Sequence, residues 1–393
     1  MSVLGWVIFI VALLVSIMLH ESGHFVMAKK FGMKATQYFV GFGPTLWSRM
    51  KGETEYGVKA LPLGGFVKII GMTTLEEVDP ADEPRSFRRQ PGWQRAIVLA
   101  AGSFMHFVLA FVLLLVLAMG IGLANDNTAT IGAIDNCVPA SQTAQCAPGN
   151  PRSPASQVGL RAGDKVIAFD GQPVHTWSTL GAAIRRHPVG TAVTITVQRG
   201  GKELSLRATT AAIRGRSGSY LGISSATAFQ RVGPVRAVQY AGSSFGQVIT
   251  GSVTALGQLP AAVPKLFAKD RSSTAGGNVS SIVGAANDTG QALAANIGVA
   301  SKISIVLLII ISLNIFVGAF NLLPLLPLDG GHLAVVIYER VRAWLARLRG
   351  RPDPGLVDMT RLMPLSFGVF AVLVFIGLML IMADILNPVH IIQ

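Results

Sequence analysis

His20-Glu21-Ser22-Gly23-His24 lies near the end of an apolar run that begins at Val3. As a helix rising about 1.5 Å per residue, the run is long enough to cross the ~30 Å hydrocarbon of a bilayer. Residues four apart share a helix face, so His20 and His24 can present their imidazoles to one cation. Glu21, beside the first of them, can reach a water at that cation without ligating it. Two nitrogen ligands, a general base and an open coordination position are the parts of a zinc peptidase site. Chance is a poor explanation, because the chain has only 7 histidines in 393 residues. Three ionisable side chains inside a membrane-length helix are also expensive unless they do chemistry.

Composition points the same way. The chain is 51% hydrophobic and only 13% charged, with a mean hydropathy of +0.52, which excludes an ordinary soluble enzyme. The net charge of +13 is not a nucleic-acid footprint, since no basic block with interleaved aromatics occurs. The lysines and arginines flank apolar runs instead, so membrane lipid is the expected partner and nucleic acid is not. The first run has no basic leader and no cleavage site, so it is a retained span and not a signal peptide.

Working outward, residues 1–27 form the first transmembrane helix with the metal motif. Lys29, Lys30, Lys34, Arg49, Lys51, Arg85, Arg88 and Arg89 crowd the next segment, 28–92, and place it in the cytoplasm. Within it, Gln37–Gly43 and Tyr56–Ile70 read as short strands and hairpins. Some are apolar enough to re-enter the membrane beside the metal, where irregular backbone needs a protein-lined cavity. A second span covers 93–123 and carries His106, a candidate extra ligand or a polar group behind the ligands.

The segment 124–230 is polar and lies outside by parity. It holds a strand and turn over Lys165–Val174, a helical pattern over Trp177–Arg186 and strands over Ala192–Arg199 and Glu203–Ala208 around Gly200-Gly201. Cys137 and Cys146 lie close together in a loop of this segment; a disulfide or two free thiols are the alternatives, and an outside location favours the bridge. Residues 231–300 are apolar but diluted by Gln, Ser and Gly. They read as helices on the outer membrane surface or packed against the preceding domain, with a loop over Asp270–Gly277.

The third span and its Asp-Gly motif occupy 301–335, through Asn321-Leu322-Leu323-Pro324-Leu325-Leu326-Pro327-Leu328-Asp329-Gly330-Gly331-His332. The two prolines break the helix where Asn321 and Asp329 can turn towards a cavity, and His332 is a further candidate to support the ligands. A basic cytoplasmic segment, 336–363, and a fourth span, 364–386, complete the chain. Parity then places Asp329 at the depth of His20 and His24 and on the same side, about 300 residues away in sequence. The expected fold is therefore a polytopic α-helical membrane protein with about four spans, a membrane-associated β-hairpin region and one α+β extracytoplasmic domain.

Two resemblances attach to these residues. Residues 128–224, above all Gly159–Val174, resemble a PDZ domain of the permuted form found in bacterial envelope proteases. Tyr220-Leu221-Gly222-Ile223 is similar to its carboxylate-binding loop. The chain as a whole resembles the site-2 proteases, intramembrane zinc metalloproteases of the bacterial PDZ-containing branch. The matching residues are His20–His24, Leu63-Gly64-Gly65-Phe66-Val67-Lys68, Gly102 with the position four later, and Asn321–Pro324 through Leu328-Asp329-Gly330. His106 stands where that family usually has asparagine.

The resemblance implies one zinc ion on His20, His24 and Asp329, with Glu21 as catalytic base. It also implies substrate binding by Asn321, Pro324 and the Gly64, Gly65, Phe66, Val67 strand. The implied substrate is a single-pass membrane protein, an anti-sigma factor or a remnant signal peptide, already cut outside by an upstream site-1-type protease. The expected location is the inner, or plasma, membrane, with both termini and the PDZ domain outside and the active site near the cytoplasmic side. Two rival readings are a catalytically inactive PDZ scaffold and a zinc hydrolase of other membrane substrates. Intact Glu21 and Asp329 weigh against the scaffold.

Overall fold

The computed structural model describes residues 3–72, 76–141, 146–215, 217–262 and 280–387. The loop expected over Asp270–Gly277 lies outside them. The chain divides into two compact units, residues 1–120 with 233–393, and residues 121–232. The first unit opens with α1 (Val3–Lys30), β1 (Ala35–Lys51), β2 (Thr54–Ile69) and α2 (Gly92–Val116). The second comprises β3 (Leu123–Asn125), β4 (Ile131–Ile134), α3 (Pro154–Gln157), β5 (Lys165–Phe169), β6 (Gln172–Pro173), α4 (Trp177–Arg186), β7 (Ala192–Arg199), β8 (Lys202–Thr209), β9 (Ile223–Ser225) and β10 (Ala228–Gln230). The first unit resumes with α5 (Pro234–Ala262), α6 (Ile282–Ala294), α7 (Val299–Asn321), α8 (Asp329–Leu348) and α9 (Met363–Leu386).

Among the described residues, four helices have the length and apolar composition of membrane spans: α1, α2 with its continuation to Ile121, α7, and α9 with the turn before it from Met359. Large apolar side chains on their outer faces, such as Ile10, Phe104, Leu308 and Phe375, are exposed and suit lipid. Gly23 lets α1 meet α2 closely, because a Cβ there would stand 2.4 Å from the Ala101 carbonyl oxygen. At the start of α1, Gly5 meets Gly290 of α6 in the same way. The N-terminus of α6 is closed by Ser281, whose Oγ accepts from the Val283 and Gly284 amides, while Asp384 of α9 accepts the Ser281 amide. An acid in an apolar span thus serves as a helix cap.

The hairpin region is a single long pair of strands that doubles back on itself. Residues 37–40 of β1 pair with 65–68 on one side and with 55–58 on the other. The bend falls near Gly41, at φ +87, where a side chain would meet the Leu61 and Lys59 carbonyls. Phe42, Leu46, Trp47 and Met50 remain exposed on this apolar sheet.

Residues 231–300 were expected to form helices on the outer membrane surface or packed against the preceding domain; instead α5 packs by Tyr240, Ala241, Phe245, Val248 and Ile249 against Ala110 and Leu114 of α2 and Ile311 and Ile315 of α7. The basic segment 336–363 begins inside α8, which runs from Asp329 to Leu348 and packs on α2 through a buried ion pair, Arg95 to Glu339 at 2.8 Å.

The second unit is built on a four-stranded antiparallel sheet in the order β6-β5-β7-β8. Its core gathers Ile131, Val166, Phe169, Leu180, Ile195, Val197 and Leu221. The alternation of β7 and the helical period of α4 supply these side chains, and Thr176 caps α4 through a capping box. Asp164, almost fully buried, is neutralised by Arg199 at 2.7 Å, and Cys137 is joined to Cys146.

Candidate metal centre

His20 and His24 project from one face of α1, and Asp329 stands in the first turn of α8. Their ligand atoms form a small triangle. His20 Nε2 is 3.1 Å from His24 Nε2, and Asp329 Oδ2 is 3.1 and 3.2 Å from those two nitrogens. A tetrahedral ion with ligands at ~2.0–2.1 Å sets its ligand atoms about 3.3–3.4 Å apart, so the triangle has the size of one face of a zinc coordination shell. Among the described residues these three are the group able to hold a metal.

The donor chemistry fits as well. His24 Nδ1 donates to the Val98 carbonyl at 2.7 Å, which leaves its Nε2 with a lone pair facing the triangle. Acceptor atoms this close repel one another unless a cation, or protons, lie between them. The pocket is also cut to size. A Cβ at Gly102 on α2 would fall 2.3 Å from His24 Nε2 and 2.6 Å from His20 Cε1, so only glycine lets α2 pass behind the ligands.

Glu21 is not a member of the triangle. Its Oε2 accepts the Val67 amide of β2 at 3.1 Å, and its other oxygen has no hydrogen bond among the described residues. Gly65 on the same strand sits against Met18 of α1, where a Cβ would meet the sulfur at 2.5 Å. The segment Gly64, Gly65, Phe66, Val67 is therefore pressed onto the helix that carries the base, and Phe66 stacks on Phe39.

Asn321 is the last residue of α7. Its side chain is half-buried and makes no hydrogen bond among the described residues. Pro324 lies in the turn between α7 and α8. His106 is outside the ligand triangle: its ring centroid is 5.0 Å from that of His20, while its Nδ1 faces Asn314 Oδ1 at 2.9 Å and Ser16 Oγ at 3.3 Å. His332 lines a separate small cavity with Arg95, Leu99 and Glu339 and makes no hydrogen bond to the ligands. In the second unit, Tyr220, Leu221, Gly222 and Ile223 line a cavity of about 150 Å³ with Trp177, Ile184 and Arg185, and the Tyr220 hydroxyl donates to Asp135.

The sequence reading missed Val98, Asn314, Ser16 and Glu339. An asparagine in the middle of an apolar span is a detectable signal, whereas a serine in a helix and a backbone carbonyl are not.

The profile of peptidase family M50 matches residues 8–351. Zinc metalloprotease Rip1 of Mycobacterium tuberculosis is 36% identical over the whole of both chains. The Rip1 of Mycolicibacterium smegmatis is 34% identical over 99% of each. Among solved structures, the PDZ domain of an SdrC-like protein from Listeria monocytogenes is similar over 26% of this chain and 90% of that one, at 21% identity and a TM-score of 0.19.

Proposed function

The chain belongs to peptidase family M50 and is a zinc metalloprotease of the site-2 type, and from that premise we propose that it cleaves a peptide bond within or beside a transmembrane segment of a single-pass membrane protein. The observation that carries this reading is the convergence of His20, His24 and Asp329, from two distant helices, beside Glu21 inside a membrane-length helix. His20, His24 and Asp329 would hold one zinc ion, which when bound would supply Lewis acidity to the scissile carbonyl and the attacking water.

The residues of the chain do the rest. The Val67 amide holds Glu21 Oε2, so Oε1 is the atom free to take a proton from the attacking water and return it to the leaving nitrogen. An intact helix hides its carbonyls, so the substrate must unwind. The 65–69 edge of β2, next to Glu21, offers a strand template for the unwound segment. Asn321 has free hydrogen-bonding capacity beside the Pro324 turn and is suited to hold the substrate backbone.

The distribution of lysine and arginine supports termini outside and a site near the cytoplasmic face. The second unit, read as a PDZ domain, would then meet the part of the substrate left outside by an upstream cut. Anti-sigma factors and remnant signal peptides are the substrate classes this reading favours.

The test is Glu21→Gln against Asp329→Ala in purified protein. Glu21→Gln should keep full zinc and lose cleavage of a transmembrane test peptide by about 10²–10⁴-fold. Asp329→Ala should lose the zinc itself, by more than the ~10–100-fold that removing an outer partner costs. Cleavage at the wild-type rate by Glu21→Gln would refute the base, and zinc retained by Asp329→Ala would refute the ligand set.

A further inference from the structure

Beside the turn that delivers Asp329 lies an open cleft of about 700 Å³, lined by Leu325 and Leu326 of the turn, Val335 of α8, Leu356, and Leu365 and Val369 of α9. Its walls are mostly apolar, with two cations and one acid, Arg342, Arg361 and Asp358, on its lining. Arg342 donates to the Pro354 and Gly355 carbonyls, its Nε is buried without a partner, and no carboxylate pairs with it among the described residues. Arg361 is exposed, 3.5 Å from Asp358. Between positions 340 and 361 there are six arginines against two aspartates. On α8, Tyr338, Val341, Trp344 and Leu348 are exposed, which is the aromatic and apolar face of a helix lying in a membrane interface.

Size decides between occupants. A helix about 10 Å across would fill 700 Å³ with roughly six residues, far short of the ~20 in a span. A single acyl chain is thin enough for such a cleft, and the Arg342 guanidinium, which no carboxylate neutralises among the described residues, matches a phosphate. We propose that this cleft binds an anionic phospholipid, with its phosphate on Arg342 and Arg361 and one acyl chain against the Pro324–Leu326 turn. The turn is packed closely on the start of α8, since a Cβ at Gly331 would lie 2.5 Å from the Leu325 carbonyl carbon. The inference needs only that α7 and α9 span a membrane, and it stands apart from the assignment of substrate or base.

Native mass spectrometry of protein extracted from nanodiscs of equal phosphatidylglycerol and phosphatidylcholine tests it. The wild type should carry mainly phosphatidylglycerol. Arg342→Gln should lower that preference roughly fivefold, and adding Arg361→Gln should lower it again. Val369→Trp, which fills the cavity without changing charge, should lower retention of both lipids while zinc content stays full. Equal retention of the two lipids by the wild type, or an unchanged preference in the double variant, would overturn the proposal. So would photo-crosslinking from position 365 that captures a transmembrane test peptide in place of lipid.

Discussion

Nδ1 of His106 stands 2.9 Å from Oδ1 of Asn314, joining α2 to α7 across 208 residues of sequence. The Asn314 amide nitrogen donates to the Ile310 carbonyl at 2.8 Å, so its oxygen is the acceptor, and the Ser16 hydroxyl donates to the same atom. His106 therefore carries its proton on Nδ1 and keeps a lone pair on Nε2. All three side chains are buried, which makes the network a polar weld between α1, α2 and α7 beside the ligands.

Asn314→Leu should accordingly destabilise the protein by about 1–2 kcal/mol, because it strands two donors in a dry site, and thermal unfolding in detergent would read it. His106→Asn should keep zinc at the wild-type stoichiometry, since His106 lies outside the ligand triangle. Loss of the metal from His106→Asn would make His106 a ligand.

Much of the site could be read from the chain because its geometry is local or topological. The helical period put His20 and His24 on one face, and the expected parity of the spans put Asp329 at their depth, where the fold groups all three. The bounds of α4 and β7 followed from their periods and from the Gly200-Gly201 turn. What escaped depended on distant partners. The depth of α5 was hidden by its serines, threonines and glutamines. In the fold Ser243, Thr250 and Thr254 turn their hydroxyls back to carbonyls of their own helix, so they do not need water. The arginines of 340–351 marked a basic cytoplasmic segment without showing that α8 runs into it, and no local pattern announces that Glu339 of this helix pairs with Arg95, 244 residues away.

Gly102→Ala separates site geometry from folding. Alanine is favoured over glycine in a helix by ~1 kcal/mol, so propensity alone would leave α2 unharmed or stabilised. The added methyl would overlap His24 Nε2 at 2.3 Å and His20 at 2.6 Å. The variant should keep its helical circular dichroism and lose most of its zinc by elemental analysis. A fully loaded Gly102→Ala protein would show that α2 does not pack behind the ligands in this way.

Glu53 fixes the β1–β2 turn to the end of α1 and to the segment before α2. Arg85 grips its carboxylate with both terminal nitrogens, at 2.7 and 2.8 Å, and Lys29 adds a third donor. Arg85 first and Lys29 second pull the carboxyl from 4.5 to about 2. A depressed carboxyl stabilises the fold fully above its unfolded value, and the contribution is lost as pH falls through the folded one. The melting temperature of the wild type should exceed that of Glu53→Gln by a constant margin from about pH 8 to about pH 5. The margin should then close between pH 4.5 and about 2. A margin that already shrinks above about pH 6 would assign the effect to another group.

The Arg95–Glu339 pair predicts a specific failure of additivity. Glu339 Oε2 receives Arg95 at 2.8 Å and Oε1 receives the Val357 amide at 2.8 Å, both under cover of α2 and α8. Removing one partner leaves a buried charge uncompensated, so Glu339→Ala alone should cost about 3–5 kcal/mol. Replacing both with apolar side chains, Arg95→Met with Glu339→Leu, removes the desolvation penalty along with the attraction and should cost less than the single change. Glu339 lies ten residues along α8 from Asp329, roughly 15 Å. The single variant should therefore also bind zinc more weakly, and the double variant should recover it. Thermal unfolding and zinc titration on the four proteins of the cycle test this together. Strictly additive costs would mean that each residue acts alone and that α8 is held on α2 by its apolar face.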